Sequence, residues 1–327
     1  MHFTVAAFSL QFSSLLSATP GNIAQGLIWG IMALGVYITF RLLDVADLSV
    51  DGTFTTGAAV TVALVYFAGV NLWLALACAV LAGVLAGFVT GVLHTRLGIP
   101  AILAGILTQF GLYSVNLRII GSAHLAFKYG MKLPVSLSNA PKTILIVGLF
   151  GFGLISLMYW YFGTEQGSAI RSTGSNPAMS RAQGINTDTM KVIGLALSNG
   201  VVALSGGLMA QFSNAADINM GRGAIVIGLA AVVIGEVLCD AIFRKGTNFY
   251  VRLTFVLLGG VVYYILMGVI LWLNLKTDDL KLFTAVLVAV FLAVPYLQKQ
   301  RVSSFRNAGK LSAKRRRELA AAKKEEN

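Results

Sequence analysis

Long apolar runs without a charged residue dominate this chain. They cover residues 23–40, 52–93, 97–117, 143–164, 192–216, 253–275 and 282–298. A helix that crosses the hydrocarbon core of a bilayer needs about 20 apolar residues. The run 52–93 is long enough for two such helices, and Gly69, Val70 and Asn71 favour a turn between them. A further apolar run, over 223–243, is interrupted by Glu236 and Asp240.

These runs predict nine transmembrane helices. Their expected bounds are 23–40, 52–69, 72–93, 99–117, 143–162, 192–212, 223–239, 253–275 and 282–297. The runs are continuously apolar and do not alternate with a period of two, which favours helices over a membrane barrel. The predicted fold is therefore all-α, a polytopic transmembrane helical bundle with about nine spans, between eight and ten.

The composition agrees with a membrane protein. Of the 327 residues, 57% are hydrophobic and 12% are charged, and the mean hydropathy is +0.78. A soluble domain carries about 25% charged residues. This composition excludes an ordinary soluble domain.

The distribution of Lys and Arg predicts the orientation. The tail 298–327 holds ten basic and three acidic residues. With this tail in the cytoplasm, 18 of the 25 Lys and Arg residues fall on the cytoplasmic side, as the positive-inside rule requires. Residues 1–20 contain no Lys or Arg, so they are expected to form an extracytoplasmic or interfacial segment. The prediction is an outer N-terminus, a membrane domain over 21–297 and a basic cytoplasmic tail.

A basic cluster in the tail and the few Cys and His residues are the other candidates for binding sites. The cluster Lys314–Arg317 lies just beyond a membrane span, which favours a topology determinant or a contact with anionic lipid over nucleic acid binding. Cys78 and Cys239 lie in apolar runs, and His2, His94 and His124 show no spacing typical of metal ligands. We therefore expect no metal site and no nucleic acid partner.

A polar segment over residues 163–191 lies between the fifth and sixth predicted spans. Within it, Asn176 can cap a helix, Pro177 suits the first helical position, and Gly184 can end the helix in a left-handed conformation. The resulting helix has about two turns, and a free helix shorter than roughly 12 residues is marginal in water. It must gain its stability by packing on a neighbour, which is either the rest of this chain or a partner protein.

Polar residues within the spans are candidates for a solute pathway. Asp51 opens the second span and is followed by three threonines, which suits either a helix cap or a helix start that faces a polar cavity. Glu236 lies about 20 Å along its helix from Gly223. A charge near the middle of a bilayer costs at least ~2.5–3.5 kcal/mol, so Glu236 needs either an ion pair with Arg244 or Lys245 or a role in the pathway. The residues predicted to line the pathway are Asp51, Thr53, Thr55, Thr108, Gln109, Asn116 and Glu236.

No catalytic motif is recognisable. The Gly-Lys pair at Gly309–Lys310 has Ser304 where a phosphate-binding loop requires its first glycine. No Ser/His/Asp set or pair of carboxylates is evident, so the chain is not expected to be an enzyme. Uphill transport would draw on an ion gradient or on a separate nucleotidase. An ion-coupled secondary transporter or a channel is therefore the alternative to an ATP-driven system.

The polar segment and the sequence around it resemble a known family. The order of Gly167-Ser-Ala-Ile-Arg171, Gly174, Asn176-Pro177, Ala182, Gly184-Ile-Asn186, Ser198 and Gly206-Gly207 resembles the cytoplasmic signature of permease subunits of ABC importers in the branched-chain amino acid and ribose class. Met220-Gly221 and the run from Gly228 to Glu236 fit the same pattern. Asp47–Gly57 and Thr90–Leu97 resemble one branch of this class, whose members are sometimes proposed to serve tryptophan or tyrosine.

The resemblance implies a transporter of several different subunits in a bacterial plasma (inner) membrane. Two permease copies form the pathway for a small solute such as an amino acid, two ATP-binding subunits dock below them, and an extracytoplasmic binding protein delivers the solute. The permease itself binds no cofactor, since ATP and Mg²⁺ are used by the partner subunit. The short cytoplasmic helix would dock on the ATPase, and the residues assigned to this coupling are Arg171, Asn176, Pro177, Met179, Arg181 and Gly184. Where many branched-chain permeases have Gly-Gly, this chain has Gly235-Glu236, so substrate contacts in that region are not carried over.

Overall fold

The computed structural model describes residues 12–131, 133–243, 247–272, 282–286, 288–291 and 293. Between residues 12 and 272 its α-helices are α1 (Phe12–Tyr37), α2 (Val50–Ala68), α3 (Leu72–Thr95), α4 (Ala101–Ile120), α5 (Ala140–Phe162), α6 (Glu165–Ser175), α7 (Pro177–Ala182), α8 (Thr187–Phe212), α9 (Ala224–Ile242) and α10 (Phe249–Trp272). In these described parts, eight helices are long and apolar enough to cross a membrane. The predicted polytopic helical bundle is confirmed.

The helix bounds differ from the predicted ones mainly at α1. This helix begins at Phe12, so part of the segment 1–20 belongs to the first helix, and a π-helical turn over Ile38–Leu42 extends it. The second to eighth predicted spans match α2 to α5 and α8 to α10. The ninth predicted span, 282–297, is described only over residues 282–286, 288–291 and 293, which are helical. The basic tail lies outside the described residues.

Helix α8 lies at the centre of the bundle, between α1, α2 and α3. Hydroxyl groups fix it to α1: Ser198 Oγ donates to the carbonyl oxygen of Gly35, and Ser205 Oγ donates to that of Ile28, both at 2.7 Å. These two pairs run in opposite directions along the two helices, so α1 and α8 are antiparallel. On the other side, Gly83, Gly87 and Gly91 of α3 face the α8 backbone, so the absence of side chains lets the two helices approach closely.

Helices α2 and α8 cross in direct backbone contact. A Cβ atom on Gly57 would overlap the carbonyl oxygen of Ala203, and a Cβ atom on Gly206 would overlap that of Phe54. Each helix therefore contributes a glycine to the crossing. The neighbouring Gly207 faces the side chains of Thr61 and Leu76. The contact places the first half of α2 against the second half of α8.

Helix α6 and two short strands were not predicted from the sequence. Helix α6 precedes α7 in the polar segment, and its N-terminus is capped by Thr164, whose Oγ1 accepts from the N–H of Gly167 at 3.4 Å. Strands β1 (His124–Ala126) and β2 (Ala215–Asp217) form a small antiparallel sheet, with His124 opposite Asp217 and Ala126 opposite Ala215. Strand β2 follows the end of α8, so this sheet lies at the end of the bundle opposite to α7.

The chain topology places α7 at one end of the bundle with several other features. Gly174 of α6 lies directly against the backbone of Leu42 and Leu43, and α8 begins at Thr187, a few residues beyond α7. Gly91, near the end of α3, faces Val192 of α8. The basic residues at this end, among those the structure describes, are Arg41, Arg96, Arg171, Arg181, Lys191 and Arg252. We call this the α7 end.

Candidate functional site

A polar cavity of about 360 Å³ opens between the start of α2, the middle of α4 and the loop that joins β2 to α9. Small-molecule sites commonly range from about 300 to 1,000 Å³, so this volume suits a small solute. The residues that line the cavity are Asp51, Gly52, Thr55, Gln109, Phe110, Tyr113, Asn116, Ile218 and Arg222.

Asp51 holds the loop before α9 against α2. The N–H of Gly223 donates to Asp51 Oδ2 and the N–H of Ile225 donates to Asp51 Oδ1, each at 2.9 Å. The carboxylate therefore satisfies two of the free N–H groups at the start of α9, where the helix dipole favours negative charge. In the same loop, the N–H of Gly221 donates to Thr55 Oγ1 at 3.1 Å. One of the two roles predicted for Asp51 is that of a helix cap. Asp51 does cap a helix, but this helix is α9 and not α2, to which Asp51 belongs.

The cavity lies close to the middle of the membrane span. Just before α2, Asp47 Oδ2 accepts a hydrogen bond of 2.7 Å from Asn199 Nδ2. Asn199 lies twelve residues after the start of α8, or about 18 Å along that helix, and α8 has 26 residues. Since α2 starts beside the middle of α8, the cavity at its first turns lies near the middle of the span. It opens at the surface of the bundle beside Phe110, which is 73% exposed.

Asn116 presents a buried acceptor that lacks a partner. Its side chain is 1% exposed. The Nδ2 group donates to the carbonyl oxygen of Gly52 at 3.3 Å, which fixes the orientation of the amide. Among the described residues, Oδ1 has no hydrogen-bond partner. Buried acceptors are nearly always paired in native structures, so this atom indicates a place for a ligand or water.

Four of the seven predicted pathway residues line this cavity: Asp51, Thr55, Gln109 and Asn116. Thr53 does not, because it is fully buried and its Oγ1 donates to the carbonyl oxygen of Ser49 at 3.0 Å. Thr108 is also away from the cavity, where its Oγ1 accepts from Thr90 Oγ1 at 2.9 Å. The role of these residues in transport remains a prediction.

The sequence did not single out Phe110, Tyr113 and Arg222 among the cavity residues. Phe110 and Tyr113 lie within an apolar run and carry no signal that separates them from other membrane aromatics. Arg222 did offer one, because it is a charge between two glycines directly before a long apolar run. Its position beside Asp51 depends on how the loop 218–223 packs on α2.

Glu236 lies elsewhere, at the α7 end of the bundle. It forms an ion pair with Arg41, in which Arg41 Nε donates to Oε1 at 2.6 Å and Nη2 donates to Oε2 at 2.5 Å. The sequence had suggested Arg244 or Lys245 as partners, and these lie outside the described residues. The bidentate geometry joins the end of α1 to α9.

We expect Glu236→Gln to reduce stability more than transport. Loss of the charge breaks a bidentate pair and should lower the Tm of the purified permease by about 2–4 °C. Arg41→Gln should have a similar effect, and the double variant should be little worse than either single one, since both remove the same interaction. Thermal unfolding of the four proteins, with uptake measured in parallel, checks this. A large loss of uptake at unchanged Tm would assign Glu236 to the pathway instead.

The structure confirms the predicted local geometry of the short helix α7. Asn176 caps it, because its side chain accepts from the N–H of Met179 at 3.1 Å, and Pro177 is its first residue. Gly184 has a φ of +82°, in the left-handed region. Most of the helix is exposed, including Met179 at 59% and Arg181, whereas Ser180 is buried and bonds to Ser172 Oγ at 3.2 Å.

Arg171 differs from the other predicted coupling residues because it is held by the bundle. Its Nη1 donates to the carbonyl oxygen of Phe162 at 3.5 Å, and its guanidinium lies 5.6 Å from the centre of the Phe249 ring. These contacts join α6 to the end of α5 and the start of α10. Arg171 therefore positions α6 on the bundle, whereas α7 projects from it.

The chain from Leu42 to Asp51 runs from a contact with α6 to the wall of the cavity. Gly174 contacts Leu42 and Leu43, where the chain leaves the first helix. Four residues later, Asp47 Oδ1 accepts from the N–H and the hydroxyl group of Ser49, at 2.8 and 2.6 Å, and α2 starts at Val50. The segment that leads to Asp51 is therefore in contact with α6.

These features define a polytopic membrane protein with a polar cavity near the middle of the span and an exposed short helix at one end. Comparison with known proteins identifies the family. Residues 21–295 match the family described as branched-chain amino acid transport system / permease component. The chain belongs to this family, and it is a permease subunit of an ABC importer.

Two of the similar proteins are named as permeases. The chain is 39% identical over 282 residues to a protein of Clostridioides difficile (strain R20291) named tyrosine transport system permease protein, a match that covers 85% of this chain and 91% of that one. It is 31% identical to an uncharacterized protein of Rickettsia prowazekii (strain Madrid E), over 82% of this chain and 94% of the relative. An autoinducer 2 import system permease protein of Yersinia pseudotuberculosis is 30% identical, over 72% of this chain and 64% of its own length. Among solved structures, PsaBC from Streptococcus pneumoniae in complex with Fab aligns with a TM-score of 0.48 at 13% identity, over 86% of this chain and 95% of that one.

Proposed function

We propose that this permease imports a small solute of the amino acid class, driven by a separate ATP-binding subunit that docks on α7. The exposed helix α7 carries this proposal. It has six residues, too few for a stable helix in water, yet it is capped at both ends and only Ser180 is buried against the bundle. A helix that is formed but mostly uncovered suits a partner that covers it.

The distribution of charge supports a cytoplasmic location for the α7 end. Arg41, Arg96, Arg171, Arg181 and Lys191 lie there, and positive residues collect on the cytoplasmic side of membrane proteins. In this orientation α1 starts outside, and the predicted basic tail is cytoplasmic, where it would contact anionic lipid. ATP and Mg²⁺ would then be bound by the partner, below α7.

The remaining partners follow from the family. A second copy of the permease would complete the pathway, and an extracytoplasmic binding protein would deliver the solute to the end that holds the β1–β2 sheet. The amino acid class is supported by the name of the Clostridioides difficile relative and by the family description.

Purification of the full chain in mild detergent tests the proposal. A stoichiometric ATP-binding subunit should co-purify, and proteoliposomes that hold this complex and the binding protein should accumulate amino acids only when ATP is supplied. Uptake that needs no ATP-binding subunit and follows an imposed ion gradient would establish an ion-coupled carrier instead. Passive flux alone would establish a channel.

A further inference from the structure

Two opposite charges line the polar cavity without neutralising each other. Each oxygen of Asp51 accepts one backbone N–H group, which leaves each with capacity for a further hydrogen bond. Arg222 forms no ion pair with another residue in the described part of the chain, and its guanidinium carries five N–H donors. The cavity therefore offers a negative group and a positive group to the same occupant.

The unpaired Oδ1 of Asn116 adds an acceptor for a donor on that occupant. Asn116 lines the same cavity as Asp51, and the orientation of its amide is set by the hydrogen bond from Nδ2 to the carbonyl oxygen of Gly52. A ligand ammonium group carries three N–H donors, enough for Asp51 and Asn116 together. The N–H groups of Gly223 and Ile225 at the start of α9 already donate to Asp51, so they are not available to a carboxylate on the occupant.

The rest of the lining is apolar or aromatic. Phe110, Tyr113 and Ile218 contribute this surface. An aromatic or aliphatic side chain would bury apolar area against these residues. A purely anionic ligand would face the Asp51 carboxylate, and a purely cationic ligand would face Arg222, whereas a zwitterion pairs both charges.

We propose that the cavity binds an α-amino acid as its zwitterion, with an apolar or aromatic side chain. The ammonium group bonds to Asp51 and Asn116 Oδ1, the carboxylate bonds to Arg222, and the side chain packs on Phe110, Tyr113 and Ile218. This site rests on the amino acid class proposed above and extends it, because it gives the permease its own contacts with the solute.

Photolabelling of the permease–ATPase complex in lipid nanodiscs tests the site. The probes are 4-azido-L-phenylalanine and 4-azidophenethylamine, which lacks the carboxylate, and labelled peptides are mapped by mass spectrometry. The wild type should be labelled by the amino acid probe within 109–116 or 218–222. Arg222→Gln should reduce labelling by this probe about tenfold but should not reduce labelling by the amine, which loses a repulsive positive charge. Asn116→Leu should reduce labelling by both probes.

Two control variants match these changes outside the cavity. Arg118→Gln removes an exposed arginine from α4, and Thr90→Val removes a buried polar group from the neighbouring helix α3. Both should label like the wild type. Labelling confined to other peptides, or equal labelling of Arg222→Gln and Arg118→Gln by the amino acid probe, would overturn the site.

Uptake by the same complex separates this result from the wider proposal. If wild-type proteoliposomes accumulate amino acids and Arg222→Gln is labelled normally, the site is wrong and the proposed function stands. If the wild type accumulates none of the twenty amino acids under ATP, the substrate class is wrong, and the site fails with it.

Discussion

A permease that carries Met179→Glu should insert in the membrane at the wild-type level but lose its ATP-binding subunit, and ATP-dependent uptake should fall at least about 100-fold. Met179 is 59% exposed and projects from a helix that the bundle covers only at Ser180, so the change should not disturb folding. A partner that covers this side chain would have to bury an unpaired carboxylate, which costs several kcal/mol. The ratio of ATPase to permease after co-purification measures the effect.

Gly184→Val should also cause loss of the ATP-binding subunit and of uptake, because it changes the backbone at the end of α7. Gly184 has a φ of +82°, which a β-branched residue rarely adopts, so the end of α7 would be displaced. Met131→Glu is the matched control, because Met131 is also exposed, at 40%, but lies in the loop after β1 at the opposite end. Normal retention of the ATPase by both Met179→Glu and Gly184→Val would refute docking on α7.

Gly206→Val should prevent assembly of the bundle. The added Cβ would overlap the carbonyl oxygen of Phe54, and a backbone atom cannot move away as a flexible side chain can. The helices α2 and α8 would have to separate along their crossing, which would also open the contacts around Gly57 and Gly207. We expect a loss of about 3 kcal/mol or more in stability. Size-exclusion chromatography should show little or no monodisperse protein.

Gly153→Val provides the matched control for this change. Gly153 is also a helical glycine in a membrane span, but a Cβ atom there meets nothing within 4 Å. This variant should be produced and eluted like the wild type. If Gly206→Val behaved in the same way as Gly153→Val, the direct backbone contact between α2 and α8 would be wrong.

The sequence predicted the helix α7 more completely than it predicted the cavity. The cap, first residue and end of α7 were predicted at Asn176, Pro177 and Gly184, because each depends on hydrogen bonds or backbone angles within a few residues. For the cavity, polarity alone selected Asp51, Thr55, Gln109 and Asn116, but it selected Thr53 and Thr108 as well. These two threonines donate to the carbonyl oxygens of Ser49 and Ala104 within their own helical turns, so a polar side chain in a span did not require a polar neighbour.

The sequence by itself determined the class of fold, the location of the spans and the form of the helix α7. These follow from the length of apolar runs and from local capping, and both are properties of contiguous residues. Only the tertiary structure decided that Asp51 caps α9, that Glu236 pairs with Arg41, and that Arg222 shares a cavity with Asn116. Asp51 and Gly223 lie 172 positions apart, and Arg41 and Glu236 lie 195 positions apart. Such pairs form because close packing of helices brings distant segments together, and no local pattern in the chain encodes which segments will meet.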